Sequence, residues 1–235
     1  MADLSALDQQ LLREKWEANL PEEWLAEGES LSWVLLPEQG YIGSTVGGAH
    51  CLPHEPLSGV ASSTVDRPEW PLPSEVVGSG AFLDDEWADD PSVLQWVFAG
   101  NAEQDAVRFG DHVAEMPGSA FVVLSSSRLA VVVEQGKIAE PAGAEPEGKG
   151  WLGKARSAAA QVQKAAEGIT ARKDAKAAVS YHEVPLSRIA SMSWAPLGRS
   201  IPRSPFLRVD FADGSCLFIR DRAAEANAHK FPGGR

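Results

Sequence analysis

Phe206-Leu207-Arg208-Val209-Asp210-Phe211 alternates apolar and polar residues, breaks at Ala212-Asp213-Gly214, and resumes as Ser215-Cys216-Leu217-Phe218-Ile219. Two β-prone runs joined at an Asp-Gly pair predict a hairpin, in the type I′ form that needs positive φ at both central residues. Beyond it, Arg222 to Lys230 is Ala-rich and predicts a terminal helix. Upstream, Phe121–Leu124 and Arg128–Glu134 flank Ser125-Ser126-Ser127 and form a second hairpin. Their runs are continuously apolar, which predicts burial on both faces or a tightly curled sheet. Tyr181–Pro185 and Ile189–Trp194 supply the strands between the hairpins.

These motifs, in this order, carry a resemblance. Phe-Val-Val-Leu-Ser-Ser-Ser-Arg-Leu-Ala-Val-Val-Val (Phe121–Val133) is similar to the first hairpin of bacterial pleckstrin-homology-like and GRAM-like domains. Glu183-Val-Pro-Leu-Ser-Arg-Ile-Ala-Ser resembles a later strand pair, and Phe211-Ala-Asp-Gly-Ser the last hairpin before a capping helix. The likeness spans about residues 119–231. The chain departs from it in having serines where a threonine usually precedes the Arg-Leu pair, and in a long insertion over Ala139–Val179. The resemblance implies an α+β fold: a strongly bent, seven-stranded antiparallel barrel with a C-terminal capping helix. It also implies a domain that binds lipid headgroups, peptides or proteins.

Ahead of that domain, 1–117 reads as an acidic region of short helices and irregular segments. Leu4 to Leu25 has helical apolar spacing, with Pro21 interrupting, and Trp16 and Trp24 are read as core. From Leu31 to Phe82 prolines and glycines break any long element, yet Trp33 and Trp70 suggest a wrapping segment pinned to a surface. Ser92–Ala99 suits a helix or a buried strand, and Ala102–Val113 a helix. Met116-Pro117-Gly118 is the expected boundary, with the PH-like domain over 118–231 and a helical insertion at about 150–178.

Composition bounds the function. The net charge is −12 with a pI of about 4.9, but it is unevenly placed. Residues 1–120 carry 22 acidic against 4 basic residues, and 121–235 carry 11 against 17. Such a chain repels a phosphate backbone, which argues against nucleic acid. No apolar run approaches the ~18 residues of a membrane-spanning helix. The N-terminal residues lack a secretory pattern, and two cysteines are too few for a disulfide framework. A cytoplasmic protein, soluble or peripheral to a membrane, is expected.

The inserted stretch Trp151–Ala178 has a thin, mostly alanine stripe bordered by Lys154, Arg156, Lys164, Arg172, Lys173 and Lys176. A basic amphipathic helix docks on an anionic membrane or an acidic partner. Alanine offers little area at ~0.8 kcal/mol per buried CH₂, so stable membrane insertion by this helix alone is not expected. Arg199 and Arg203 lie in a loop between strands and could gather anionic groups. His50-Cys51-Leu52-Pro53-His54 has ligand-like spacing, but zinc wants about four donors and no second cluster exists. The leading expectation is a non-catalytic binding or adaptor module contacting proteins or anionic lipid, with no cofactor and no metal. The alternative is a thiol- or metal-dependent enzyme using His50, Cys51 and His54.

Overall fold

Backbone pairing divides the described strands between two sheets. The computed structural model describes residues 6–37, 39–139 and 176–232. In chain order come α1 (Ala6–Glu23), β1 (Leu31–Leu35), β2 (Tyr41–Val46), β3 (Ala49–Cys51), the short α2 (Glu75–Gly78), a 3₁₀ turn (Glu86–Asp89) and β4 (Val93–Ala99). Then follow α3 (Asp105–Glu115), β5 (Phe121–Ser125), β6 (Arg128–Glu134), β7 (Ala178–Pro185), β8 (Ile189–Leu197), β9 (Ser204–Phe211), β10 (Cys216–Arg220) and α4 (Ala224–Ala228). One sheet runs β1-β5-β6-β7 and the other β3-β2-β4-β10-β9-β8. All pairings are antiparallel except β2 with β4.

The continuous apolar runs of β5 and β6 are buried on both faces. Val122, Leu124, Leu129, Val131 and Val133 face the main core, which they share with Val97, Leu207, Val209, Leu217 and α3. Phe121, Val123, Ala130 and Val132 face the other way, under Leu20 and Trp24. Helix α1 covers them, with the Trp16 and Phe121 rings 4.0 Å apart. Fully burying one such side chain contributes about 1.5–3 kcal/mol, so this outer layer is a second core. A third cluster lies around β4, where Trp87 and Trp96 stack at 4.9 Å. Gly43 on β2 permits that stack: a Cβ there would lie 2.4 Å from the Trp96 ring.

Three expectations are corrected. Among the described residues the strands of 118–231 number six and do not close into a barrel, because N-terminal strands occupy their outer edges: β1 pairs β5, and β4 pairs β10. The acidic N-terminal region holds more than helices and irregular segments. Its α1 spans 18 residues with Pro21 inside, and it contributes four strands. The Asp-Gly turn is not type I′ either. Gly214 has φ +84° but Asp213 stays out of the positive region. The Asp213 carboxylate instead accepts the Asp105 N–H at 2.6 Å and the Ser215 N–H at 3.0 Å, joining the turn to the first residue of α3.

Candidate binding site

The wrapping segment after β3 is stitched down by its own backbone. The Thr64 N–H donates to the Lys137 carbonyl, the Ala139 N–H to the Ser62 carbonyl, and the Ser63 N–H to Glu115 Oε1. Trp70 packs edge-on to Tyr41 with centroids 5.5 Å apart, and Tyr41 Oη donates to the Trp70 carbonyl at 3.1 Å. The proline-rich stretch is thus held over the sheet by the aromatic anchor its sequence suggests.

Between this segment and the sheet lies a cavity of about 220 Å³. Its floor is Tyr41 and Ile42 of β2 with Leu94 and Gln95 of β4. One wall is the end of α3 and the turn after it, through Val113, Ala114, Met116, Pro117 and Gly118; the other is Pro53, His54, Arg67, Pro68 and Trp70. Gly118 turns at φ +64°, and a Cβ on it would lie 3.3 Å from the Trp70 ring. A cavity of about 150 Å³ accepts benzene, so this one accommodates a substituted ring or a branched chain.

His54 ties the cavity wall to the interior. One ring nitrogen, Nδ1, is 2.8 Å from Ser44 Oγ, and Nε2 is 2.8 Å from Asp111 Oδ1. Asp111 also accepts the N–H groups of Leu57 (3.1 Å) and Ser58 (2.9 Å) and the Ser58 hydroxyl. Burial would raise its pKa, but the hydrogen bonds from His54, Ser58 and Leu57 outweigh it and hold the carboxyl below its ordinary value. The Ser44–His54–Asp111 connectivity is that of a hydrolytic triad with the imidazole reversed. However, Ser44 is 1% exposed and does not line the cavity. The chain of bonds clamps the loop at 54–58 to α3.

A second histidine pair lies on α3 and β7. His112 and His182 stack with centroids 4.4 Å apart, and His112 Nδ1–H donates to the Arg108 carbonyl. Burial, with His112, Arg108 and Arg188 nearby, lowers the His182 pKa to about 4. Its Nε2 is buried without a partner.

The residues singled out in the sequence go to separate places. Of the basic insertion, Lys154, Arg156, Lys164, Arg172 and Lys173 lie outside the described residues, and Lys176 is exposed. Arg203 is exposed, whereas Arg199 faces the acidic knot, within 4.0 Å of Asp84, Asp85 and Glu86. Arg128 is structural: it pairs with Glu29 and Glu183 and lies 4.4 Å over the Trp24 ring. His50 contacts Thr45 and Phe82, and the Cys51 thiol donates to the Pro53 carbonyl, while His54 turns inward. These three residues share no partner. No group of three His, Cys, Asp or Glu side chains suited to a metal occurs among the described residues, and no described helix is long and apolar enough to cross a membrane.

Asp111, Ser44, Gln95 and Arg67 were not legible as a set. The available signal was Asp111 itself, a carboxylate four residues after Val107 on the face of α3 that buries Ala106, Val107 and Phe109. No family model matches the chain, and no curated protein or solved structure is detectably similar to it.

Proposed function

We propose that the chain is a non-catalytic binding module and that the cavity beneath the wrapping segment is its binding site. The observation that carries this reading is an apolar cavity whose proton-transferring groups are already committed. Tyr41 Oη donates to the Trp70 carbonyl, and both His54 ring nitrogens are engaged by Ser44 and Asp111. Binding pockets are concave and mostly apolar, with a few polar groups that orient the ligand. The order of two three-strand meanders, β5-β6-β7 and β8-β9-β10, followed by α4, supports reading 121–228 as a PH-like unit. In this reading the N-terminal strands extend both sheets and supply the cavity floor.

Protein-detected NMR with small phenyl-bearing compounds tests the proposal. Saturable shifts are expected at the methyl groups of Ile42, Val113 and Met116, and Ala114→Phe, which fills the cavity from α3, is expected to abolish them. Shifts elsewhere only, or shifts unchanged in a folded Ala114→Phe variant, overturn it.

A further inference from the structure

The polar lining of the cavity is sparse and its charge has one sign. Gln95 is 9% exposed and lines the cavity, yet among the described residues its side-chain amide makes no hydrogen bond, and Oε1 is buried without a partner. Buried amides are nearly always satisfied, and one left unmade costs about 1–3 kcal/mol. The neighbouring polar groups cannot serve it, since His54 and Tyr41 are bound elsewhere. Arg67 is the one charged residue among those that line the cavity, apart from the engaged His54. It is exposed and forms no ion pair among the described residues, although Asp66 and Glu69 flank it in sequence. Residues 1–120 hold only 4 basic side chains against 22 acidic ones. A lone, uncompensated guanidinium at this rim therefore runs against the local composition.

Resting on the reading of this cavity as a binding site, we propose that its ligand is a small amphipathic carboxylate. The apolar body fills the space over Ile42 and Met116, and the carboxylate meets Arg67. A planar guanidinium matches a carboxylate through two parallel N–H···O bonds. A single guanidinium balances a monoanion; a phosphate dianion calls for a second cation, and Arg67 is the one cationic side chain among the described residues of the lining. The Gln95 amide, both donor and acceptor, takes a second polar atom of the ligand.

Calorimetric titration of the full chain with phenylbutyrate, phenylbutyramide and phenylbutylammonium tests this. These probes share one apolar body and differ in charge. Phenylbutyrate is expected to bind about three- to tenfold more tightly than the amide, the range for one charge-assisted contact at an exposed rim. Arg67→Ala is expected to erase that preference, bringing acid and amide to equal affinity, and Gln95→Leu to weaken both. Arg67 is exposed, so its variant keeps the fold, as a thermal melt would verify. Equal binding of acid and amide, tighter binding of the ammonium, or a preference that survives Arg67→Ala overturns the carboxylate assignment and leaves the cavity a binding site. If none of the three binds, both readings fall.

Discussion

Asp111 and Asp89 perform the same task at opposite ends of the burial scale: each is a carboxylate that accepts backbone N–H groups and fixes the path of a loop. Asp111, fully buried on α3, takes the amides of Leu57 and Ser58 and holds the wrapping segment over the cavity. Asp89, exposed, takes the amides of Arg199 (2.7 Å) and Ser200 (3.0 Å) and holds the β8–β9 turn. Both carboxyls lie below their ordinary pKa, for different reasons. At Asp89 the Arg199 amide is the main cause, whereas at Asp111 burial pushes upward and is overcome by His54, Ser58 and Leu57. Two loops of similar hydrogen-bond geometry thus differ in what happens when the carboxylate is removed. In water the freed amides re-solvate. In the interior they and the His54 ring are stranded.

The largest expected effect follows directly. Asp111→Ala is expected to destabilise the protein by about 3–5 kcal/mol, as breaking a buried pair does, and to loosen residues 54–58. Urea denaturation with hydrogen exchange at Leu57 and Ser58 measures both. A loss no greater than that of Asp89→Ala would break the comparison.

Acid titration sharpens it. Asp111 contributes stability above the ordinary carboxyl pKa of 3.8, lost only as pH falls through its lower folded value. His182 acts earlier. Its folded pKa of about 4 lies below the ordinary 6.5, so on acidification the unfolded chain takes up the proton first. Stability is therefore complete above pH 6.5 and declines toward pH 4, by at most ~1.4 kcal/mol per pH unit. The urea midpoint should fall across that window, and His182→Phe should flatten the slope. An unchanged slope in the variant would remove His182 as the cause.

Asp89→Ala is expected to cost less than ~1 kcal/mol, as exposed contacts do. The Arg199 contacts with Asp84, Asp85 and Glu86 are smaller still. The effect of Arg199→Ala on thermal stability should shrink further between low and physiological salt, where the screening length is about 8 Å. A salt-independent loss would show that Arg199 acts through packing.

Much of the fold was legible because it rests on local chemistry. The β9–β10 hairpin announces itself by alternation and a turn glycine, and the runs at 121–134 announce burial on both faces. Trp16 and Trp24 read as core; Trp24 is core, and Trp16 packs half-buried against it. Strands β2 and β3 were missed: Tyr41-Ile-Gly-Ser-Thr-Val carries glycine and serine where strand propensity is weak, and only its pairing with β4 and the seat Gly43 makes for Trp96 give it shape. The cavity was illegible for a related reason. Gln95, Arg67, His54 and Asp111 come from a strand, a loop and a helix, and no sequence period connects them.

By itself, the sequence determined the runs that become α1, α3, β5, β6, β9 and β10, where the terminal hairpin turns, and that acidic and basic residues divide between the two halves. Those properties depend on neighbours within a few residues. Only the tertiary structure decided that N-terminal strands complete both sheets in place of barrel closure, and that Asp111 reaches across 57 residues to His54. It also decided that an apolar cavity opens beneath a proline-rich loop. Edge pairing, long-range hydrogen bonds and cavity shape are relations between distant segments, and burial sets their strength.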